Sequence, residues 1–276
     1  MLRRWHLFEF CDQPWWPAGL RRMLTDYLQT AMELVQPFRP RNDLLVRALR
    51  ETGTSSVVDL CSGGAGPWVQ LVRDLRTATG RPISVILTDK FPDPAAPGRL
   101  GRLDGIRYHL DSIDALAVSP ELDGVRTVFN ALHHFRPAQA SAILADAVRQ
   151  GRAIIVFEAL NRSWPNLLCI NLTPLMLWLV TPRIHPRTWY RTVFTYFLPI
   201  GTLAIWWDAV VSTLRCYTPD ELLEMARAVD GGQYTWEAGT YRENNVPVTF
   251  LAGFPKAPVP TSPAAPQHAA QSTGRD

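Results

Sequence analysis

Paired cysteine is the first thing this 276-residue chain lacks. Its four cysteines, Cys11, Cys61, Cys169 and Cys216, lie far apart, with no C-x-x-C pair and no Cys/His cluster at metal spacing. A disulfide framework and a zinc site are both disfavoured. The natural compartment for such usage is reducing and cytoplasmic. Blocks of like charge are also missing. Net charge is +3, from 28 basic and 25 acidic residues, so charge alone does not call for nucleic acid. No apolar run reaches the roughly 20 residues a membrane helix needs. Leu167 to Val180 is interrupted by Asn171, Thr173 and Pro174, and Val193 to Val211 holds Pro199, Gly201 and Asp208. Met1 to Arg4 is basic like the start of a secretory signal, but Glu9 and Asp12 interrupt the next stretch and no cleavage site is visible. There is no internal repeat. Apolar material, by contrast, is plentiful: 47% hydrophobic against 19% charged residues, enough for a sizeable core.

The order of patterns predicts an α/β fold. Trp5 to about Arg50 reads as helical and aromatic-rich, with Leu20, Met23, Leu24, Tyr27, Leu28 and Met32 at helical spacing. A second helix is expected from Asp43 to Thr52, capped by Asn42 and ended by Gly53. Strands are expected at 56–60, 83–88, 106–110, 125–129 and 153–157, alternating with helices at 68–78 and 137–150. Such alternation argues for βαβ units and a mostly parallel sheet flanked by helices. A helix capped by Thr218 and two closing strands, at 234–238 and 246–251, complete the pattern as an antiparallel pair. Between them, 161–215 breaks the rhythm with an apolar, aromatic, proline-punctuated insertion.

Val57-Val58-Asp59-Leu60-Cys61-Ser62-Gly63-Gly64-Ala65-Gly66-Pro67-Trp68 is the most informative stretch. A buried strand ends, a glycine turn comes next and a helix begins, which is where open α/β sheets bind ligands. The spacing is not the G-x-G-x-x-G of dinucleotide-binding turns. Asp59 at the strand end is awkward beside a pyrophosphate and suits a ligand with cationic or hydrogen-donating groups. No Tyr-x-x-x-Lys pair is present, which further disfavours a nicotinamide oxidoreductase.

At this point the chain resembles the class I S-adenosylmethionine (SAM)-dependent methyltransferases, whose first motif is an acid followed by D-x-G-x-G-x-G-type glycines. Asp59 and Gly63 match the motif, while Cys61 and Ala65 stand at two of the usual glycine positions and Gly64 and Gly66 partly compensate. The resemblance implies a Rossmann-like fold with SAM on this turn. It implies further that Asp89, ending the second strand, binds the ribose hydroxyls. Asp111 and Ser112 fall where the family contacts adenine. Asn130, with His133 and His134, falls where donor and acceptor meet. Asp114 rivals Asp111, since either can be a helix cap. The organisation this implies is a helical and aromatic cap at 1–54, a SAM-binding domain at 55–254 carrying the insertion at 161–215, and a disordered tail at 255–276.

Methyl transfer from a sulfonium needs mainly proximity and orientation. A general base is needed only when the nucleophile keeps its proton. The candidates are His133, His134 and Glu158, with pocket lining and packing as the alternative. The neighbouring histidines have no carboxylate nearby in sequence and make a poor metal set, so no metal is expected. For the substrate, Trp16, Trp207, Asp208, Arg215 and Tyr217 are the candidates. Asp208 and Arg215 serve equally as a structural ion pair. The insertion reads as a lid over a small-molecule or lipid-like acceptor, with peripheral membrane contact as the alternative. The rival to an enzyme is a non-catalytic SAM-binding module.

Overall fold

The structure is a computed structural model and describes residues 2–92 and 104–256. The strands Ser56–Leu60 (β1), Ser84–Leu87 (β2), Ile106–Tyr108 (β3), Val125–Phe129 (β4), Ile154–Glu158 (β5), Tyr234–Glu243 (β6) and Val246–Pro255 (β7) form one sheet in the order β3-β2-β1-β4-β5-β7-β6. β1 to β5 are parallel, and β7 runs antiparallel to both β5 and β6. β1, β4 and β5 are central, and their apolar residues are buried on both faces, as two helical layers require. This is the Rossmann-like sheet of the methyltransferases that the sequence resembles. β6 and β7 are each longer than their apolar runs suggest. Asn244 and Asn245 both take positive φ (47° and 64°) and close them into a tight hairpin.

Helices Ala18–Val35 (α1), Asn42–Thr52 (α2), Trp68–Thr79 (α3) and Pro137–Arg149 (α4) precede the insertion. Gly53 and Gly80 end α2 and α3 in the left-handed conformation. Asn42 does not cap α2: a 3₁₀ turn over Arg39–Arg41 leads straight in, so Asn42 is already helical. The insertion folds as Trp164–Ile170 (α5), Thr173–Val180 (α6), Trp189–Thr192 (α7) continuing into a π turn over Val193–Phe197, and Ile200–Arg215 (α8). Pro165 and Pro174 sit in the first turns of α5 and α6, and Pro199 caps α8, so prolines cut the segment into angled pieces. Pro219–Val229 (α9) opens with the Thr218/Glu221 capping box.

The N-terminal residues depart from expectation. Leu2 to Trp16 is not helical but an irregular strap. Its backbone groups are satisfied by α8 instead of by a helix of its own: Trp5 N–H donates to Leu214 O, and Phe10 N–H to Asp208. The expected tail lies almost wholly outside the described residues.

Candidate functional site

The turn after β1 is built from unusual backbone. Cys61, Gly63, Ala65 and Gly66 have φ of 58°, 55°, 126° and 51°. The two non-glycine residues at glycine positions therefore keep glycine-like conformations, of the kind that typically cost about 1–3 kcal/mol in strain. Ala65 is fully buried, so packing holds it there. Asp59 lies under the turn, 1% exposed, and accepts a 2.6 Å hydrogen bond from Thr127 Oγ1. Its carbonyl accepts from Ser62 Oγ and Thr88 Oγ1 at 2.9 and 2.8 Å. Burial pushes the Asp59 carboxyl up to about 7, against the Thr127 hydrogen bond. Asp59 thus props the turn from below and does not present an open carboxylate to a ligand.

Asp89 reaches across from the end of β2. Its Oδ2 accepts Gly63 N–H at 2.9 Å and its Oδ1 accepts Phe91 N–H at 2.8 Å, while the residue stays half-exposed. Of the rivals after β3, Asp114 is bound to Lys90 Nζ at 2.9 Å and to Leu116 N–H. The Asp111 carboxylate is exposed and takes no hydrogen bond from the described residues. Ser112 Oγ donates to Lys90 O at 2.7 Å. Asn130 has φ of 50° after β4, accepts Ala159 N–H through Oδ1 at 2.6 Å, and turns Nδ2 to Met32 Sδ at 3.5 Å.

α1 roofs this edge. A Cβ added at Gly63 would stand 3.9 Å from Thr25 Cγ2, and one at Gly64 would stand 3.9 Å from Gln29 Oε1. Gln29 Oε1 is buried beside the turn with no hydrogen-bond partner. In the sequence the segment that holds α1 reads as a helical and aromatic cap. Its i, i+3, i+4 pattern marks a packed face but not the surface that face covers.

The histidines occupy a 3₁₀ turn over Leu132–His134 and stack with ring centroids 4.3 Å apart. Carboxylates absent from their sequence neighbourhood are present in space. His133 Nδ1 lies 2.7 Å from Glu158 Oε2, and His133 N–H donates to Glu158 Oε1 at 3.1 Å; both side chains are almost fully buried. A carboxylate only accepts, so Nδ1 carries a proton toward Glu158 and Nε2 is the ring nitrogen facing away from it. That Nε2 is buried without a partner. Cys216 joins them, its Sγ within 4.8 Å of their donor atoms.

His134 belongs to a different group. Its Nδ1 is 2.8 Å from Asp12 Oδ1 and 3.4 Å from Glu9 Oε2. Burial works against its charge, but Glu9 and Asp12 prevail and raise it to about 9. Arg215 Nη1 bridges the same two acids, at 3.0 Å to Glu9 and 2.6 Å to Asp12. Glu9 is 1% exposed, and the two cations balance it. Cys11 joins these groups at ligand-like distances, but cationic side chains already neutralise the carboxylates.

This group redefines the expected substrate residues. Asp208 accepts Phe10 and Cys11 N–H at 2.7 and 3.1 Å, and burial lifts its carboxyl to about 6. Arg215 also donates to Leu7 O. Trp207 Nε1 donates to Phe8 O at 3.0 Å, and Trp16 stacks on Phe10 at 4.6 Å. Tyr217 donates to Phe135 O, with the Arg4 guanidinium 4.1 Å over its ring. Asp208, Arg215 and Trp207 thus spend their polar groups on the strap, Asp208 on its backbone and Arg215 on Glu9 and Asp12, and not on an ion pair with each other. The acids that complete the fastening, Glu9 and Asp12, lie some 200 residues upstream, and no local pattern announces them.

No protein-family model and no curated protein matches this sequence. Solved structures are similar in fold. An O-methyltransferase family protein from Burkholderia thailandensis is 13% identical, with a TM-score of 0.43, over 80% of this chain and 57% of that one. Human N-acetylserotonin methyltransferase, in complex with SAM, is 14% identical, with a TM-score of 0.48, over 86% and 57%. Magnesium protoporphyrin IX methyltransferase from Synechocystis, with bound SAM, is 11% identical, with a TM-score of 0.40, over 78% of each. This chain spans just over half the length of the first two.

Proposed function

We propose that the chain is a SAM-dependent methyltransferase acting on a small or lipid-like apolar acceptor. The observation that carries this reading is the turn after β1. Four residues there hold positive φ, two of them against their own side-chain preference, while Asp89 clamps Gly63 from the next strand. Backbone held open in this way at the carboxyl edge serves close approach of a ligand.

SAM fits the residues present. Asp89 keeps free lone pairs for ribose hydroxyls, and Asp111 and Ser112 stand after β3 for the adenine. The orphaned Gln29 Oε1 suits the methionine ammonium, since a buried carbonyl oxygen without a donor is costly. When bound, SAM supplies a methyl group already activated on a sulfonium. Catalysis by the chain is then largely orientation under α1. For an acceptor that keeps its proton, His133 Nε2 takes it while Glu158 holds the ring and stabilises the charge that forms. Asp59 supports the turn without touching the acceptor.

The test is incubation of the full chain with SAM and a panel of phenols, amines and apolar carboxylic acids, reading S-adenosylhomocysteine by mass spectrometry. Turnover with any of them supports the reading. SAM binding without turnover across the panel points to a non-catalytic binding module, and no SAM binding overturns both.

A further inference from the structure

The insertion buries several polar side chains while leaving much of its apolar surface exposed. The segment from Trp164 to Thr181 buries Asn166, Thr173 and Thr181 along with Leu177, and exposes Trp164, Leu168, Leu172, Leu175 and Leu179. The exposed positions succeed one another at spacings of 4, 4, 3 and 4 residues, the spacing of an apolar helical face carried across the break between the two helices. The second half repeats the arrangement. Arg191, Thr195 and Thr202 are buried, whereas Trp189 and Phe197 are 76% and 75% exposed. Some of the buried polar groups are served internally, whereas Thr181 Oγ1 and Thr195 Oγ1 have no partner among the described residues. Arg191 pairs with Asp26 of α1, Thr202 Oγ1 donates to Thr195 O, and Trp178 Nε1 also donates to Thr195 O. A water-facing surface does not choose Leu, Trp and Phe while threonine and arginine go inside.

Among the described residues no single helix is long and apolar enough to cross a membrane. Two bent helix pairs have the length and composition together: Trp164–Ile170 with Thr173–Arg183, bent by 44°, and Trp189–Phe197 with Ile200–Arg215, bent by 76°. Bends of 44° and 76° keep each pair from forming one straight span, which is compatible with shallow entry into the boundary. Charge identifies the facing partner. From Ala159 to Trp207 there is no aspartate or glutamate, whereas Arg183, His185 and Arg187 are all exposed between the two pairs. Apolar stripes, exposed tryptophans and exposed arginines without a single acid match an anionic bilayer surface, where aromatic rings and arginines sit at headgroup level.

We infer that the insertion docks the protein on anionic membranes, with α5, α6 and the turn over Val193–Phe197 entering the headgroup–acyl boundary and Arg183 and Arg187 meeting lipid phosphates. The inference goes beyond the methyl-transfer reading and stands without it, since it concerns a face made by other residues.

The test is co-sedimentation of the full chain with vesicles of equal phosphatidylglycerol and phosphatidylcholine, and with pure phosphatidylcholine. Binding is expected to be at least tenfold stronger on the anionic vesicles. Leu175→Glu with Leu179→Glu should lower it at least tenfold on both, and Arg183→Glu with Arg187→Glu should abolish the anionic preference. All four positions are exposed, and an unchanged Tm and SAM affinity verifies the fold. Should a variant misfold, quenching of the unsubstituted chain's tryptophan fluorescence by brominated lipid gives an independent reading. No pelleting above the lipid-free control, or no quenching, overturns the inference. So does a lipid-free dimer that Leu175→Glu with Leu179→Glu dissociates, because a second copy would then cover the face.

Discussion

The backbone N–H of Gly63 donates to Oδ2 of Asp89 across 2.9 Å, tying the turn after β1 to the end of β2. Asp89 therefore orders the turn, and in the proposed function it also meets the ribose. Asp89→Ala is expected to weaken SAM binding by about 1.5–3 kcal/mol, the range for hydrogen bonds to charged groups. Asp89→Asn, which keeps an acceptor for Gly63, should lose less. Calorimetry checks both, and equal affinities across wild type and the two variants would remove Asp89 from the site.

Glu158→Gln should lower turnover by about 10²–10⁴-fold with a protonated acceptor, the usual weight of general base catalysis. SAM affinity should hold, because Glu158 lies beyond the turn. If single-turnover rates with such an acceptor are unchanged, the pair serves packing only.

The fastening of the strap is expected to break hard from one side and mildly from both. Arg215→Ala leaves Glu9 buried without its guanidinium and should cost about 3–5 kcal/mol. Glu9→Gln with Arg215→Met removes both charges and should recover a good part of that loss in urea unfolding. Additive losses would mean the two residues act independently.

His134 sets a pH limit on the strap. Its folded value of about 9 exceeds the ordinary 6.5, so its charge stabilises the folded state fully below pH 6.5. That stabilisation is lost as pH rises through 9. Proteolytic nicking within the strap should accelerate between pH 7 and 9.5. A His134→Gln variant should lack this dependence, and a variant that keeps it would refute the assignment.

Asp59 follows the same direction as His134, the reverse of an ordinary paired carboxylate. Raised to about 7 by burial, it favours the folded state below its ordinary 3.8, and that advantage disappears as pH rises through 7. Asp59→Asn keeps an oxygen for Thr127 Oγ1 and should raise Tm at pH 8, with little change at pH 4. A lower Tm at pH 8 would mean that the charge is needed.

The sheet is legible in the sequence because its signals are local. β-Branched runs such as Val57-Val58, the glycines ending α2 and α3, and the Thr218 capping box each act within a few residues. Asn244-Asn245 is equally local, a hairpin signal masked by the short apolar runs on either side. The strap is not legible. An aromatic stretch with helical composition resembles a helix until its hydrogen-bond partners are known, and those partners, Asp208, Leu214 and Arg215, lie about 200 residues away. Likewise the carboxylates beside His133 and His134 come from β5 and the strap, so the pair looks isolated in sequence.

That distance has a consequence during synthesis. The chain emerges with Glu9 and Asp12 first and Arg215 roughly 200 residues later, so the strap stays undocked while the sheet's first five strands form. Met23 of α1 packs on Gly201 of α8, so the roof waits for the same late segment. The edge that α1 roofs is therefore finished from its far end. Nascent chains stalled before Arg215 should carry a formed β1 turn yet leave the strap open to protease, and chains stalled beyond β7 should protect it.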